Sequence, residues 1–253
     1  MATDIALHYT EQGSGTPLIL LHGNGEDGSY FEHQIEYFKS RYRVIALDTR
    51  GHGQSPRGEK PFTIRQFAED LHDFMDEQRI DRAHILGFSD GGNIALIFAL
   101  KYPERVDHLI LNGVNLDASG VKPSTQIPTV FGYRMASAFA AFGEILSAKK
   151  SGKKDGGASF SEKARKNAEM LRLMVNDPNI RPEELSENKD PDFINMKKLV
   201  IAGDRDMIKD EHTRLIYASL PNAKIRVLHG THFIAKEEHR EFNRAVESFL
   251  ESR

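Results

Sequence analysis

The sequence predicts an α/β fold with a doubly wound, mostly parallel sheet and one inserted helical segment. Short continuous apolar runs recur along the chain, and such runs are typical of strands that are buried on both faces of a sheet. Amphipathic patterns separate most of these runs, and regular strand–helix alternation indicates a parallel sheet with helices on both faces. The alternation stops after Asp117 and resumes near residue 196, so the segment between them is predicted to be an insertion.

The strand pattern begins with an alternating stretch and continues as apolar runs. The predicted strands are Ile5–Tyr9, Pro17–Gly23, Arg43–Asp48, Ala83–Phe88, Val106–Gly113, Lys198–Asp204 and Lys224–Gly230. The predicted helices between and after them are Tyr30–Ser40, Thr63–Gln78, Asn93–Lys101, His212–Ser219 and Glu237–Leu250. The second helix opens with TIRQ, a Thr-x-x-Gln capping box. The third is apolar almost all round, so we expect it to be buried.

The insertion divides the chain into a first core part at residues 1–117, a helical lid at 118–195 and a second core part at 196–253. It contains an apolar helical run and an amphipathic helix, separated by KKSGKKDGGAS, which is predicted to be a solvated loop. We interpret the insertion as a lid because its large apolar side chains need a surface to cover. Phe131, Met135 and Phe139 are expected to line an apolar substrate pocket beneath it.

Composition narrows the possible partners. The chain of 253 residues has 34 basic and 37 acidic residues, a formal charge of −3, and no cysteine. This near balance gives no overall attraction to nucleic acid or to an anionic membrane. Without cysteine, disulfides, thiolate metal sites and a cysteine nucleophile are excluded.

The N-terminal residues lack the apolar core of a signal peptide, and no apolar run approaches the ~20 residues of a membrane helix. We expect a cytoplasmic protein, and the sequence leaves its oligomeric state open.

The pentapeptide GFSDG, Gly87–Gly91, lies directly between a predicted strand and a predicted helix. In this context G-x-S-x-G is a strong signal for a nucleophilic serine. A serine at a sharp strand-to-helix turn takes strained backbone angles, and bulky neighbours would clash there. Ser89 is therefore the predicted nucleophile, with the positive end of the following helix behind it.

A serine nucleophile needs a general base and a carboxylate that orients the base. HGTHFI after the last strand offers His229, which closes the strand, and His232, which lies in the loop beyond. We favour His232 because a loop side chain can reach over the edge of the sheet. GDRD after the preceding strand offers Asp206 as the favoured acid and Asp204 as an alternative, and Asp117 is a third candidate.

Acyl transfer also needs backbone N–H groups that bind the developing oxyanion. One is expected from Asp90, the residue after the nucleophile, and the other from Asn24 in the turn HGNG, His22–Gly25. This role requires the amide of Asn24 and not its side chain.

Over nearly its whole length the sequence resembles the α/β-hydrolase superfamily. The resemblance rests on LLHGNG, LDTRGHGQS, GFSDGG, AGDRD and GTHF, and the order Ser, Asp, His is that of the family. It implies an α/β-hydrolase fold with a lid, a triad of Ser89, Asp206 and His232, and no metal or organic cofactor. The family's G-x-x-D spacing also favours Asp206 over Asp204. The residues that the resemblance places in a structural loop beside the site are Asp48, Arg50, Gly51 and Gly53.

The motif GFSDGG is most similar to that of the biphenyl-hydrolase-like, valacyclovir-cleaving esterases. There the acidic residue after the serine is held to receive the α-ammonium group of the substrate. The resemblance thus implies that Asp90 selects amino-acid esters, and a carboxylate beside the reacting carbonyl pairs well with a cation. A second interpretation is that Asp90 only caps the following helix, where aspartate is favoured anyway.

Together these features favour a serine hydrolase of the carboxylesterase type that acts on a small-molecule ester. Two other classes stay open. One is a lyase or carbon–carbon hydrolase with the same triad, and the other is a ligand sensor that is built on a hydrolase body and turns over slowly.

Overall fold

The computed structural model describes residues 4–149 and 157–252, and it describes only the backbone of residues 142–149 and 157–162. The strands are β1 (Tyr9–Gln12), β2 (Pro17–Leu21), β3 (Arg43–Leu47), β4 (Ala83–Phe88), β5 (Val106–Asn112), β6 (Lys197–Gly203) and β7 (Ala223–Leu228). The helices are α1 (Glu32–Phe38), α2 (Ile64–Glu77), α3 (Asp90–Lys101), α4 (Pro123–Lys149), α5 (Gly157–Asn176), α6 (Pro182–Ser186), α7 (Pro191–Asn195), α8 (Asp210–Ser219), α9 (Ile234–Glu237) and α10 (His239–Leu250). Short 3₁₀ helices lie at Gly28–Phe31, Pro103–Arg105 and Ala118–Gly120.

The described strands form one sheet in the order β1-β3-β2-β4-β5-β6-β7. All neighbouring strands are parallel except β1, which runs antiparallel to β3. The order reverses around β2, so the chain winds outward in both directions from the middle of the sheet. The predicted fold class, a doubly wound and mostly parallel sheet, is confirmed.

The first strand lies later in the chain than predicted, at Tyr9–Gln12 instead of Ile5–Tyr9. Tyr9 is opposite Leu47, the last residue of β3, so an earlier strand residue would have no partner. The chain before Tyr9 binds the loop after β3 instead: the His8 carbonyl accepts from the Asp48 N–H at 2.9 Å, and the His8 N–H donates to Ser55 Oγ at 2.8 Å.

Two apolar layers cover the sheet. On one face the strands pack against α2 and α3, with buried side chains such as Phe67, Leu71 and Phe98. On the other face they pack against α1 and α10, with Phe38 and Phe242 fully buried. This arrangement follows from the amphipathic patterns of α2 and α10, each of which buries one face. Helix α3 is apolar on almost all sides and is buried on all sides.

Two helix boundaries differ from the expected ones in ways that matter for the site. Helix α3 begins at Asp90, directly after Ser89, instead of at Asn93. The predicted last helix, Glu237–Leu250, corresponds to α10, and a separate short helix, α9, precedes it and was not predicted. The capping box expected for α2 is present in part: the Gln66 N–H donates to Thr63 Oγ1 at 3.2 Å.

Within the described residues, the insertion between β5 and β6 is helical, and α4 packs along α5. Helix α5 is attached to the core through Glu169, which receives two hydrogen bonds of 3.0 Å from Arg57, and through Arg172, which donates to the Phe62 carbonyl at 2.6 Å. The expected solvated loop KKSGKKDGGAS lies largely outside the described residues, and the role of the insertion as a lid stays a prediction. No helix in the described part of the chain is long and apolar enough to cross a membrane.

Candidate active site

Ser89 lies at the turn between β4 and α3, with φ of 53° and ψ of −120°. Non-glycine residues avoid this backbone region, so the conformation is strained and is held by its neighbours. The Ser89 N–H donates to the Asn112 carbonyl at 2.8 Å, and the Ser89 carbonyl accepts from the Asn93 N–H at 3.0 Å. The turn leaves Ser89 partly exposed at the carboxyl end of the sheet, as the sequence predicts.

The glycines of GFSDGG are required because neighbouring backbone atoms lie where a side chain would begin. A Cβ at Gly91 would lie 2.0 Å from the Leu21 carbonyl oxygen, and one at Gly87 would lie 2.3 Å from the Gly91 carbonyl oxygen. Real Cβ atoms do not approach backbone so closely. The sharp turn at Ser89 therefore depends on glycine on both sides of it.

His232 and Asp206 form a buried pair: Nδ1 of His232 lies 2.6 Å from Oδ1 of Asp206, and each residue is 3% exposed. The His232 ring lies 4.8 Å from the ring of Phe88, which precedes Ser89. His232 Nε2 is buried and has no hydrogen-bond partner among the residues that the structure describes. The structure thus brings the predicted base and acid together beside the nucleophile turn.

The Asp206 loop is held from two directions. Asp206 Oδ1 also accepts from the Ile208 N–H at 2.9 Å. Lys122, at the start of the insertion, donates through Nζ to the Asp206 carbonyl, and its N–H donates to the Met207 carbonyl at 2.8 Å. Sequence reasoning missed Lys122, because no local pattern links a lysine near an insertion boundary to a loop 84 residues later.

The alternative acid and base form a separate pair at the surface. His229 Nδ1 lies 2.9 Å from Asp204 Oδ2, with side chains 71% and 45% exposed. Asp204 also accepts from the Gly230 N–H at 3.0 Å, and this bond and His229 lower its pKa. Asp117, the third candidate, caps the 3₁₀ helix after it by accepting from the Ser119 N–H.

The turn HGNG is anchored by a neutral histidine. His22 Nε2 accepts from the Thr49 N–H at 3.0 Å, so Nδ1 carries the proton and donates to the Gly23 carbonyl at 2.7 Å. Burial lowers the pKa of His22, which favours this neutral form. A Cβ at Gly23 would lie 3.3 Å from Ser89 Cβ, so the turn adjoins the nucleophile.

The side chain of Asn24 connects three elements. Its Nδ2 donates to Asp90 Oδ2 at 2.9 Å and to the Met170 carbonyl of α5 at 2.9 Å. The sequence suggested a role only for the Asn24 amide, so this side-chain contact is an addition from the structure. The predicted oxyanion pair, the amides of Asn24 and Asp90, stays a prediction.

Asp90 is 8% exposed and lies in the first turn of α3. Burial raises its pKa to about 6, the nearby Asp177 also raises it, and the hydrogen bond from Asn24 and the charge of His232 lower it. The carboxyl group therefore ionises close to neutral pH, beside the reacting serine. A carboxylate with such a pKa in a recess is a candidate for binding a cation.

The loop after β3 is structural, in agreement with the resemblance. Arg50 is fully buried and makes hydrogen bonds of 2.7 Å and 2.6 Å to Asp70. Asp48 accepts from the Gly28 N–H at 2.8 Å and from the Gln54 N–H at 2.9 Å. A Cβ at Gly53, where φ is +50°, would lie 2.2 Å from Asp48, so this turn requires glycine.

The three side chains expected in the substrate pocket lie at the surface of α4. Phe131 is 66% exposed, Met135 40% and Phe139 45%. Their spacing of four residues places them on one side of the helix. Their contact with a substrate stays a prediction.

A family model described as the alpha/beta hydrolase fold matches residues 16–239 of this chain. Among curated proteins, one named carbamate hydrolase RutD, from Azorhizobium caulinodans, is 38% identical over 111 residues. That alignment covers 44% of this chain and 42% of the relative, so this chain matches less than half the length of that relative.

Solved structures match over almost the whole chain. The enol-lactonase from Burkholderia xenovorans LB400 has a TM-score of 0.75 at 23% identity and covers 98% of this chain and 97% of its own. Est816, described as an N-acyl homoserine lactone degrading enzyme, has a TM-score of 0.72 at 26% identity and covers 97% of both chains. The enol-lactonase, below 25% identity, shows likeness of fold alone.

Proposed function

Because the chain belongs to the α/β-hydrolase fold family, we propose that it is a serine hydrolase that cleaves a small carboxylic ester through an acyl-enzyme. One observation carries the proposal: a strained serine lies between β4 and α3, and the ring of Phe88, the residue before it, packs against the His232 ring of a buried His232–Asp206 pair. A strained hydroxyl-bearing residue next to an oriented imidazole is the arrangement that nucleophilic acyl transfer needs.

In the proposed reaction, Ser89 Oγ attacks the ester carbonyl while His232 Nε2 takes the hydroxyl proton. Asp206 accepts the Nδ1–H of His232 and stabilises the imidazolium that forms. The amides of Asn24 and Asp90 bind the oxyanion of the tetrahedral intermediate. The imidazolium then protonates the leaving alcohol. Water, deprotonated by the same imidazole, attacks the acyl-enzyme and releases the acid and free Ser89.

Within this reaction we assign Asp90 a role in substrate choice. Its carboxylate is recessed beside the nucleophile and is oriented by Asn24, and it would pair with the α-ammonium group of an amino-acid ester. The pairing of two desolvated charges gives charge-assisted hydrogen bonds, which are stronger than neutral ones. The names of the matched proteins include a carbamate hydrolase and two enzymes that act on lactones, which are cyclic esters. The names of the two enzymes that act on lactones support an ester as the substrate class of this chain.

The test compares wild-type protein with Ser89→Ala on p-nitrophenyl acetate, p-nitrophenyl butyrate and a series of neutral, acidic and α-amino esters. Alanine removes only the hydroxyl group and can adopt the same backbone angles as serine at this turn. The variant is therefore expected to fold with an unchanged melting temperature. Its kcat is expected to fall by ~10⁴-fold or more. An organophosphonate probe should add one adduct to the wild type and none to Ser89→Ala, as measured by intact mass.

Retained turnover in Ser89→Ala would remove serine catalysis from the proposal. Binding of esters without turnover by the wild type would favour the ligand-sensor class. Cleavage of an activated carbon–carbon bond without ester turnover would favour the carbon–carbon hydrolase.

A further inference from the structure

The first residues of the insertion pair with the loop that carries Asp206. Residues 120–122 run antiparallel to residues 207–209, and Val121 forms a β-bridge with Ile208. Two backbone hydrogen bonds of 2.8 Å flank this bridge, and they run from the Lys122 N–H to the Met207 carbonyl and from the Lys209 N–H to the Gly120 carbonyl. This pairing holds the chain directly after Asp206 against the start of the insertion.

Lys122 adds a side-chain contact to the pairing. Its Nζ donates to the carbonyl of Asp206, and an ammonium donor makes a stronger hydrogen bond than a neutral one. On the other side of the same residue, the Asp206 N–H donates to the Gly203 carbonyl at 3.2 Å. The peptide groups before and after Asp206 are therefore both held. Because the side chain leaves the Cα atom between them, these two contacts fix the direction in which the carboxyl group points.

The carboxyl group of Asp206 passes this constraint on to the imidazole of His232. Its Oδ1 lies 2.6 Å from His232 Nδ1 and also accepts from the Ile208 N–H at 2.9 Å. Asp206 and His232 are each 3% exposed, so water has little access to replace either partner. A displacement of the acid loop therefore displaces the imidazole or lengthens the bond between the two side chains.

Lys122 is also the residue from which α4 starts. Its carbonyl accepts from the Thr125 N–H at 3.0 Å and from the Gln126 N–H at 2.9 Å, which are bonds of the first turn of that helix. The side chain and amide of Lys122 thus contact the acid loop, while its carbonyl contacts α4. This arrangement connects the position of α4 with the geometry of the predicted acid and base.

We propose that Lys122 is a positioning residue: its ammonium group fixes the acid loop, and through Asp206 it sets the orientation of His232. The proposal rests on the proposed function, in which His232 takes the proton of Ser89. Lys122 acts through Asp206 and not on the substrate, since its hydrogen bonds in the acid loop go to backbone carbonyls. Its loss should therefore slow proton transfer and leave substrate binding nearly unchanged.

Lys122→Met tests the proposal, because methionine keeps most of the apolar stem and removes the donor. The kcat on a p-nitrophenyl ester should fall by ~10–100-fold, as small displacements of a reacting group cause. The KM should stay within about threefold of the wild-type value, because uniform binding of the substrate is not altered. Lys122→Arg keeps a charged donor for the carbonyl, so it should recover much of the lost kcat.

Lys197→Met is the matched control. Lys197 is also partly buried, and its Nζ also donates to a backbone carbonyl, that of Ser252. It is the first residue of β6, whereas the acid loop follows the last one. The same substitution therefore removes the same kind of hydrogen bond at the opposite end of the strand. It should lower the melting temperature about as much as Lys122→Met does and leave kcat nearly unchanged.

A measurement without turnover separates this proposal from the proposed function. The proton in the short hydrogen bond between His232 Nδ1 and Asp206 is expected far downfield in NMR spectra. It is assigned as the signal that is absent from both His232→Gln and Asp206→Asn. In Lys122→Met this signal should move upfield or disappear through faster exchange with water, and in Lys197→Met it should stay in place. If the protein cleaves no ester, the proposed function fails, while this signal still decides whether Lys122 positions the pair.

Three results would overturn the proposal. The first is a wild-type kcat or an unmoved downfield signal in Lys122→Met. The second is an equal loss of kcat in Lys122→Met and Lys197→Met, which would indicate general destabilisation. The third is a rise in KM with unchanged kcat, which would assign Lys122 to substrate binding.

A second pair of variants decides the question if Lys122→Met does not fold. Lys122→Arg and Lys122→Gln both keep a polar side chain, and only the arginine keeps the charge. The kcat and the downfield signal should be closer to wild type in Lys122→Arg than in Lys122→Gln. Equal values in these two variants would contradict a role for the ammonium group.

Discussion

Asn24 Nδ2 donates a hydrogen bond of 2.9 Å to Asp90 Oδ2, which joins the turn after β2 to the first turn of α3. The same nitrogen donates to the Met170 carbonyl of α5. One amide group therefore orients the carboxylate beside the nucleophile and attaches the inserted helices to the core. A change in the protonation of Asp90 therefore acts at this junction, where the proposed role of Asp90 in substrate choice is located.

The charge of Asp90 can be tested through selectivity. We expect wild type to prefer an α-amino ester over its des-amino analogue, and we expect Asp90→Asn to lose roughly 10–100-fold of that preference, the value of a charge-assisted hydrogen bond. The asparagine oxygen can still accept from Asn24, so the turn should keep its shape. The measurement is the ratio of kcat/KM for the two esters, and an equal loss on both would remove the ammonium-binding role.

The selectivity should also depend on pH in the wild type. The pKa of Asp90 is raised to about 6, so its carboxylate becomes protonated as the pH falls from 7 to 5. The preference for the α-amino ester should decrease over this range, because the neutral acid no longer pairs with the ammonium group. Protonation of the triad affects both esters equally, so it cancels in the ratio of their kcat/KM values. In Asp90→Asn this ratio should stay constant with pH.

Two aspartates that are two residues apart give a matched pair of variants. Asp206→Asn should lower kcat by ~10⁴-fold, because the buried imidazole loses its orientation and its charge partner. Asp204→Asn should change kcat by no more than about threefold, because its ion pair with His229 is exposed and screened. Steady-state kinetics on one p-nitrophenyl ester checks both, and a larger loss in Asp204→Asn would transfer the role of acid to Asp204.

Gly113 is expected to control the position of His232. Its φ is +62°, and a Cβ would lie 2.7 Å from His232 Cε1. Gly113→Ala should therefore displace the imidazole and lower kcat by ~10²-fold, as sub-ångström to ångström misplacement of a reacting group does. Gly15→Ala is the control: φ is +106° there and the nearest atom is the Arg41 carbonyl oxygen at 3.2 Å. It should lower the melting temperature and leave kcat nearly unchanged.

A partly buried histidine pair should make the fold sensitive to acid. His84 and His108 lie with their Nδ1 atoms 3.2 Å apart. Burial, and then the charge of His84, lowers the pKa of His108 to about 4, and burial also lowers the pKa of His84. Below pH 6.5 these two histidines bind more protons in the unfolded chain than in the folded one, so their contribution to stability is lost as the pH falls from about 7 towards 4.

For His108 this difference corresponds to about 2 kcal/mol between pH 7 and pH 5. Urea unfolding at several pH values gives the slope. His108→Leu should make the dependence on pH flatter by about that amount, because it removes the proton that only the unfolded chain binds. A slope in His108→Leu equal to that of wild type would contradict the assignment.

Much of the fold was predictable because its signals are local. The apolar runs of β2 to β7 and the amphipathic patterns of α2 and α10 are contained in short windows, so their positions follow from periodicity. The position of the first strand was predicted too early in the chain, because its register depends on where β3 ends. No short stretch of sequence contains that information. The short helix α9 was missed for a similar reason, since it forms where the histidine loop packs Ile234 and Ala235 against the core before α10 begins.

The sequence by itself determined the strained turn at Ser89, because the glycines that permit close backbone approach are its immediate neighbours. It also placed candidate acids and bases at the ends of neighbouring strands. Only the tertiary structure decided how they pair: Asp206 with His232 in the interior, and Asp204 with His229 at the surface. Only the structure brought the side chains of Asn24 and Lys122 to the site. Such contacts depend on the packing of segments far apart in the chain, whereas a turn depends on the few residues that form it.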